Sequence, residues 1–208
     1  FAMDKGKIVI INLSKGKIGE DNSALLGAMF LTKFQLDAMS RANIQEKDRR
    51  DFYLYVDEFQ NFATEAFATI LSEARKYKLN LTMANQFIAQ MPEEVRDAVF
   101  GNVGSTLAFQ LGFDDAEYIS QQFGEEVLLP DLVSLSKYTA YMRLLVDGMP
   151  TKTFSLATLP PPSLEKDLEK IDKVVKVSRE RYSQEVSVVK EKIKRWSERK
   201  KATENGDD

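Results

Sequence analysis

The sequence contains neither cysteine nor histidine. Without cysteine the chain cannot hold a disulfide framework or a thiolate metal site, and a reducing compartment is compatible with it. Without histidine it cannot form the Ser/His or Cys/His pairs of nucleophilic catalysis, and it lacks the commonest metal ligand. Any chemistry must therefore use carboxylates, arginine, lysine, glutamine or hydroxyl groups.

The sequence also lacks a run of about 18 apolar residues that could cross a membrane, and its opening residues do not have the layout of a signal peptide. Because the chain begins at Phe1 and enters an apolar run at once, we expect upstream sequence of a larger protein to be missing. The formal net charge is −3. Bulk charge therefore gives no argument for a nucleic-acid partner, which would need a local basic stripe or a pore loop.

Apolar runs of strand length alternate with segments of helical period between Lys7 and Phe123. This pattern is typical of an α/β fold with a mostly parallel sheet and helices on both faces. The predicted strands are Ile8 to Leu13, Phe52 to Val56, Leu79 to Ala84 and Ser105 to Leu111. The predicted helices are Ser23 to Arg41, Thr64 to Tyr77, Glu93 to Phe100 and Asp114 to Phe123, several opened by capping residues such as Asn22, Thr64 and Asp114.

After Pro130 the pattern changes. Lys137 to Val146 and Thr151 to Leu156, joined by a turn at Asp147 and Gly148, predict a β-hairpin near the sheet edge. We expect residues 1–159 to form the core domain, and prolines 160–162 to form a stiff linker. Residues 163–202 predict one long charged amphipathic helix, suited either to a coiled-coil seam or to a solvated surface, and residues 203–208 a disordered tail.

The segment FYLYVDEFQ is an apolar strand that ends in Asp57 and Glu58. The carboxyl ends of parallel strands face the ligand crevice of such a sheet. Phosphoryl transfer needs one acid to hold hydrated Mg²⁺ and a second group to orient and deprotonate the attacking water. We assign Asp57 to Mg²⁺ and Glu58 to water. Acids that merely leave a strand for solvent give the same pattern.

Gln86 ends the next predicted strand, in LNLTMANQ. If this strand is a parallel neighbour of the first, Gln86 reaches the same crevice, where its amide can sense a γ-phosphate or position water. The alternative is a turn residue at a strand end.

Arg75, in LSEARKYKLN, is predicted at the end of the helix that joins these two strands. One interpretation is a capping cation, which a helix carboxyl end favours. The other is an arginine finger, which reaches a neighbouring subunit and stabilises the charge that develops on the γ-phosphate.

The loop LSKGKIGEDN contains glycine and lysine but is not a phosphate-binding loop. That motif requires Gly, four residues, then Gly, Lys and Ser or Thr, whereas Gly6-Lys7 and Gly16-Lys17 are both followed by Ile. We interpret the loop as a turn. Because the chain lacks a phosphate cradle, we expect it not to turn over ATP by itself.

The order and spacing of several motifs resemble the ATPase core of conjugative coupling proteins. These are the TraD/TraG-type motors of type IV secretion, in the FtsK/HerA group of RecA-like P-loop ATPases. The resemblance covers about residues 5 to 160. It is carried by NLSKGKIGEDNSALLGAMFLTKFQLDAMSRA, FYLYVDEFQNFATEAFATILSEARKYKLNLTMANQ and EEVRDAVFGNVGSTLAFQLGFDDAEYI.

The resemblance implies roles for four residues. Asp57 and Glu58 correspond to the Walker B pair, with Asp57 holding Mg²⁺ through water, Gln86 to the glutamine of the following motif, and Arg75 to a trans-acting arginine. It implies ATP and Mg²⁺ as cofactors, and a cytoplasmic hexameric ring that moves single-stranded or duplex DNA through its pore. It also implies a relaxase or other secretion-system proteins as partners. The Walker A loop, and a segment anchoring the parent protein at the bacterial inner membrane, would lie upstream of Phe1.

Two other functions agree with these residues. A secretion ATPase for pilus assembly or protein substrates would share the nucleotide site and differ in its pore loops and accessory domains. A non-catalytic interaction or recognition module would use the same fold without hydrolysis.

Overall fold

The computed structural model describes residues 2–124, 126–162 and 168–204. It divides the chain into two compact units, Phe1–Leu159 and Pro160–Asp208. The described strands are β1 (Phe52–Val56), β2 (Leu79–Met83), β3 (Thr106–Ala108), β4 (Thr139–Arg143), β5 (Leu145–Val146), β6 (Met149–Pro150) and β7 (Phe154–Ala157). The described α-helices are α1 (Lys15–Ile18), α2 (Glu20–Met39), α3 (Glu65–Glu73), α4 (Glu93–Asn102), α5 (Phe113–Gln122), α6 (Leu129–Val133), α7 (Leu168–Tyr182) and α8 (Val186–Glu204). Short 3-10 turns cover Ser40–Asn43, Glu46–Asp48, Phe59–Asn61, Ala74–Tyr77 and Ile88–Gln90.

β1 and β2 form a parallel pair, with Phe52 opposite Leu79 and Val56 opposite Met83. The connection between them runs through α3, as a parallel pairing requires a crossover. Both strands were predicted within one residue of their observed ends. Their apolar residues contribute to the core from one face of the pair: Leu79 is buried, and Leu54 and Leu81 pack against the buried cluster. On the other face Tyr53 and Tyr55 are exposed, so among the described residues the predicted cover of helices on both faces is not seen at this strand.

The remaining described strands pair in antiparallel fashion. β4 lies between β3 and β7, and β5 pairs with β6. The predicted β-hairpin is confirmed, because Asp147 (φ 51°) and Gly148 (φ 79°) both adopt positive φ angles and turn the chain between β5 and β6. Two positive φ angles in a two-residue loop match the twist of the flanking strands. The parallel part of the fold is smaller than expected, since β3 pairs with β4 instead of continuing a parallel sheet.

The predicted strand Ile8 to Leu13 is wrong. The segment is assigned to no strand, and Ile8 and Ile10 are 92% and 88% exposed. An apolar run becomes a strand only when a neighbouring backbone completes its hydrogen-bond ladder. Among the described residues no strand pairs with this segment.

The helices begin at slightly different residues from those predicted. α2 begins at Glu20 instead of Ser23, and its N-cap is Gly19. The predicted cap Asn22 lies inside the helix, where its Nδ2 donates to the Ile18 carbonyl at 2.8 Å. Thr64 is the N-cap of α3 without a side-chain cap bond, and Asp114 lies inside α5, whose N-cap is Gly112. Type and approximate place of all four helices were predicted.

The core of the first unit is made of apolar side chains from both sheets and the helices that cover them. Its largest fully buried apolar residues are Phe59, Phe67, Phe123, Leu132 and Val95. Two side chains that are charged at neutral pH are buried among the described residues, Arg41 and Asp115. Arg41, just after α2, is 2% exposed. Its guanidinium donates from Nε to Asp4 Oδ1 (3.0 Å), from Nη1 to the Tyr77 carbonyl (2.7 Å) and from Nη2 to the Arg50 carbonyl. Arg50 and Tyr77 lie just before β1 and β2, so Arg41 ties together the starts of the parallel strands.

The second unit contains two helices where one was predicted. α7 ends at Tyr182 and α8 begins at Val186. The hydroxyl of Ser183 donates to the Arg179 carbonyl at 2.7 Å, and such side-chain bonds compete with the helix backbone and bend helices. α8 includes Thr203 and Glu204, which were predicted in the disordered tail. The start of the predicted helix, at residues 163–167, and the rest of the predicted tail, at residues 205–208, lie outside the described residues.

Candidate functional site

The site is formed where β1 and β2 end side by side. Asp57 and Glu58 follow β1, and Asn85 and Gln86 follow β2. Backbone hydrogen bonds continue beyond the paired strands, because Ala84 N–H donates to the Val56 carbonyl (2.9 Å) and Phe59 N–H to the Ala84 carbonyl (2.9 Å). The two loops are therefore held against each other by their own backbones, and the predicted juxtaposition of the acidic pair and Gln86 is present.

Glu58 has a left-handed backbone conformation, with φ 51° and ψ 45°. This region is unfavourable for a residue with a Cβ, and such residues concentrate at functional sites. Three contacts hold it there. Its N–H donates to Asp57 Oδ1 (3.0 Å), and its carbonyl accepts from the backbone N–H (3.0 Å) and from Nδ2 (3.2 Å) of Asn61. The strained backbone turns the Glu58 side chain out of the strand direction.

Two amides hold the Glu58 carboxylate. Gln86 Nε2 donates to Oε1, and Gln60 Nε2 donates to Oε2 at 2.5 Å. Glu58 and Gln60 are partly buried, whereas Asp57 and Gln86 are exposed. A carboxylate offers about four lone-pair positions, so two amides leave it able to accept a further hydrogen. Within the described part of the chain Asp57 Oδ2 makes no hydrogen bond, and this oxygen remains available.

These residues open onto a crevice of about 640 Å³ between α2, β1 and the loops. Its apolar wall includes Phe30, Leu31, Phe34, Leu54 and Phe62, and its polar end carries Lys15, Asp57, Glu58, Gln60, Asn61, Gln86 and Gln90. Lys15 is the only positively charged residue among those that line the crevice. A crevice with an apolar wall and a few convergent polar groups is the usual form of a small-ligand site.

Lys15 lies on α1, in the loop interpreted from the sequence as a turn. Its ammonium donates to Glu20 Oε1 (2.6 Å) and to Asn61 Oδ1 (2.9 Å). The hydrogen bond from Lys15, followed by its positive charge, lowers the pKa of Glu20 below its ordinary value. Through Asn61, which also binds the Glu58 carbonyl, Lys15 is connected to the strained turn.

Arg75 is not at this crevice. It is exposed in the 3-10 turn Ala74–Tyr77, which precedes β2, whereas Gln86 follows β2. β2 has five residues, which span about 17 Å at the usual rise of a strand. In the described part of the chain the Arg75 guanidinium makes no hydrogen bond or ion pair. The structure therefore brings together Asp57, Glu58 and Gln86, and leaves Arg75 at the opposite edge of the parallel pair.

A buried carboxylate supports the loop that carries Gln86. Asp115, at the start of α5, is 7% exposed and accepts the backbone N–H groups of Ile88 (3.1 Å) and Ala89 (3.4 Å). These residues begin the 3-10 turn after Gln86. Asp115 thus fixes the backbone just beyond the amide that contacts Glu58.

Sequence reasoning missed Gln60, Asn61, Lys15 and Asp115. The first two were visible as polar residues directly after the acidic pair, in DEFQN. Lys15 and Asp115 act from distant elements, and nothing in the local sequence marks them. Among the described residues, no group of three or more acidic side chains is placed to hold a metal ion without further ligands.

One family model matches the part of the chain that contains the parallel pair. Residues 51–131, which include β1, β2, Asp57, Glu58 and Gln86, match the family model described as "TraM recognition site of TraD and TraG". The resemblance to TraD/TraG-type coupling proteins is thereby confirmed. No curated protein sequence matched the chain.

Two solved structures are similar to part of this chain. The bacterial conjugative coupling protein TrwBdeltaN70 matches with a TM-score of 0.51 and 14% identity, covering 62% of this chain and 36% of that one. VirB4 of Thermoanaerobacter pseudethanolicus matches with a TM-score of 0.42 and 22% identity, covering 62% of this chain and 37% of that one. The predicted α/β, RecA-like fold class is confirmed. The matched part is just over a third of the length of either structure.

Proposed function

We propose that this chain is part of an ATP-driven motor that moves DNA in conjugative transfer, and that it supplies the Walker B pair, a glutamine sensor and an arginine finger. The observation that carries the proposal is the contact between Glu58 and Gln86 at the adjoining ends of β1 and β2. A parallel pair that ends in an acid and a facing amide suits phosphoryl transfer, in which positioning and charge stabilisation supply most of the catalysis.

Asp57 and Glu58 divide the chemistry between them. The free Oδ2 of Asp57 would hold a Mg²⁺-bound water, and the ion, when present, neutralises charge on the phosphates. Glu58 would orient the attacking water and accept its proton on a carboxylate oxygen that the amides already fix. Gln86, exposed and hydrogen-bonded to Glu58, would exchange this contact for one with the γ-phosphate.

Arg75 would act on a neighbouring subunit. Its guanidinium is exposed and lies at the edge of the parallel pair away from its own chain's crevice. An arginine placed this way is available to a site on another molecule, which suits a ring such as a hexamer with nucleotide between subunits.

The proposal requires a phosphate-binding loop, and these 208 residues contain none. We therefore propose that this loop lies in another part of the parent protein, together with an anchor in the inner membrane, and that the present chain is cytoplasmic. None of the described helices is long and apolar enough to span a bilayer. Single-stranded or duplex DNA in the pore and a relaxase or related secretion protein are the proposed partners.

The description of the matching family model favours a second function. A recognition module would bind a partner protein of the transfer machinery through residues 51–131, without using Glu58 as a base. A secretion ATPase for pilus or protein substrates remains the third possibility, because it would share the nucleotide site.

The test is hydrolysis by the complete parent protein. Glu58→Gln should abolish turnover and keep nucleotide binding, because the amide preserves shape and cannot take a proton. Asp57→Asn should weaken the dependence on Mg²⁺. Near-normal hydrolysis by Glu58→Gln would contradict the assignment, and tight binding of a TraM-type protein by a chain without hydrolysis would favour the recognition module. DNA-stimulated hydrolysis separates a DNA motor from a secretion ATPase.

The role of Arg75 is tested by mixing subunits. Arg75→Ala alone should lose about 10³-fold or more of the rate if the residue is an arginine finger. Mixing it with Glu58→Gln should restore activity, because some interfaces then combine an intact Glu58 with an intact Arg75. Normal hydrolysis by assembled Arg75→Ala rings would restore the capping interpretation.

A further inference from the structure

Gln60 contacts Glu58 from its own turn. It lies in the 3-10 turn Phe59–Asn61, and its Nε2 donates to Glu58 Oε2 at 2.5 Å. The other amide atom, Oε1, is buried and accepts no hydrogen bond from the described residues. With the amide turned over, that oxygen would face the carboxylate, and two acceptors would repel each other. The Gln60 amide is therefore oriented so that Nε2 donates to Glu58, although this orientation leaves the buried Oε1 without a hydrogen bond from the described residues.

We propose that Gln60 is a positioning residue that fixes the orientation of the Glu58 carboxylate throughout the reaction cycle. This inference rests on the proposed role of Glu58 as the base. Gln60 suits the task because its amide is neutral: it orients a carboxylate oxygen without forming the ion pair that a lysine or arginine would form, and so leaves the carboxylate able to accept a proton.

The support beneath Gln60 is rigid. The preceding residue, Phe59, is 1% exposed and its ring lies 4.7 Å from that of Phe67. The backbone of the turn is fixed by the bond from Phe59 N–H to Ala84 and by that from Phe62 N–H to the Phe59 carbonyl (2.9 Å). A donor mounted on such a turn stays in place when the crevice fills.

Gln86 differs in each of these respects. It is exposed, it lies in the loop that follows β2, and its side chain lines the crevice. The two amides thus have separate tasks: Gln86 can leave Glu58 to contact another group, and Gln60 then remains as the fixed donor that keeps the base aimed.

The experiment compares three variants of the complete parent protein with the wild type. Gln60→Met keeps the length and most of the volume of the side chain but removes the donor. We expect kcat to fall roughly 10-fold to 100-fold, the size of effect that a small misplacement of a catalytic group produces, with KM and nucleotide affinity within about twofold of wild type. Gln121→Met, at an exposed position of α5, is the matched control and should leave both constants unchanged. Glu58→Gln, measured alongside, reports whether Glu58 is the base.

The outcomes are separable. Suppose that Glu58→Gln is inactive. The positioning role is then overturned if Gln60→Met hydrolyses ATP at the wild-type kcat, or if its kcat falls and its KM rises by similar factors. If Glu58→Gln is fully active, the proposed function fails, and the contact itself is still tested on the present chain by the ¹⁵N-labelled side-chain amide signals. The Gln60 amide signal should differ between the wild type and Glu58→Gln, because the carboxylate that accepts its hydrogen bond is replaced by an amide. A Gln60 signal that is the same in both proteins would overturn the contact.

Discussion

Replacing Arg41 by methionine tests how the parallel pair is held together. The guanidinium is 2% exposed and donates to Asp4 and to the carbonyls of Arg50 and Tyr77. Removing one partner of a buried charged pair typically costs about 3–5 kcal/mol, and each stranded acceptor about 1–3 kcal/mol. Asp4 is half-exposed and Arg50 exposed, so water recovers part of the loss. We therefore expect Arg41→Met to lower the free energy of unfolding by about 3 kcal/mol.

Urea unfolding followed by circular dichroism measures this directly, because the midpoint shifts at constant slope when only stability changes. The matched control is Arg75→Met, which removes an exposed guanidinium without bonds in the described part of the chain, and should stay within about 0.5 kcal/mol of wild type. An Arg41→Met protein within about 1 kcal/mol of wild type would refute the reasoning, since a buried guanidinium would then contribute no more than a surface charge.

Three further changes test other contacts. Gly27→Ala should lower the thermal midpoint, because the new Cβ would lie 2.1 Å from a ring carbon of Phe62, and an overpacking cost of about 1–3 kcal/mol exceeds the gain in helix propensity of about 1 kcal/mol. Asp115→Asn should cost about 1–3 kcal/mol in urea unfolding, because one of the two backbone N–H groups it accepts would face an amide donor. Lys15→Met should raise the pKa of Glu20 towards its ordinary value, measured by carboxyl NMR. A carboxyl group whose pKa is lowered by folding stabilises the fold at a pH above its unfolded pKa, and this contribution is lost as the pH falls through its folded pKa. Any difference in stability between the wild type and Lys15→Met should therefore be present at neutral pH and vanish in acid.

The two strands of the parallel pair were predictable because each has a local sequence pattern that is typical of a strand. Phe52 to Val56 and Leu79 to Met83 are short apolar runs separated by a helical segment, and polar residues at their ends mark the crevice. Ile8 to Leu13 has the same composition and did not form a strand, because composition reports a preference for burial and not the presence of a pairing partner. The break near Ser183 was missed for a related reason: the apolar spacing continues across it, and the competing hydrogen bond is made by a single hydroxyl.

Only part of the candidate site was predictable: the sequence indicated that the acidic pair and Gln86 lie together, and it did not indicate the supporting side chains or the shape of the turn. The positions of Asp57, Glu58 and Gln86 follow from strand ends, since parallel strands place their carboxyl ends at one edge. The left-handed backbone of Glu58 and the contact from Gln60 depend on a turn whose shape is set by tertiary hydrogen bonds. The functional roles of these residues and of Arg75 stay predictions.

The unpaired apolar segment Ile8 to Leu13 has a practical consequence for handling this chain. Isoleucines with 92% and 88% of their surface exposed, in a run without proline, have the character of segments that stack into intermolecular β-structure. Lysines on either side, at Lys5, Lys7 and Lys17, act as charged gatekeepers that oppose such stacking. Their repulsion is screened as the Debye length shortens, so the purified chain should stay dispersed longest in buffers of low ionic strength, and concentrated salt should drive it to aggregate through this segment.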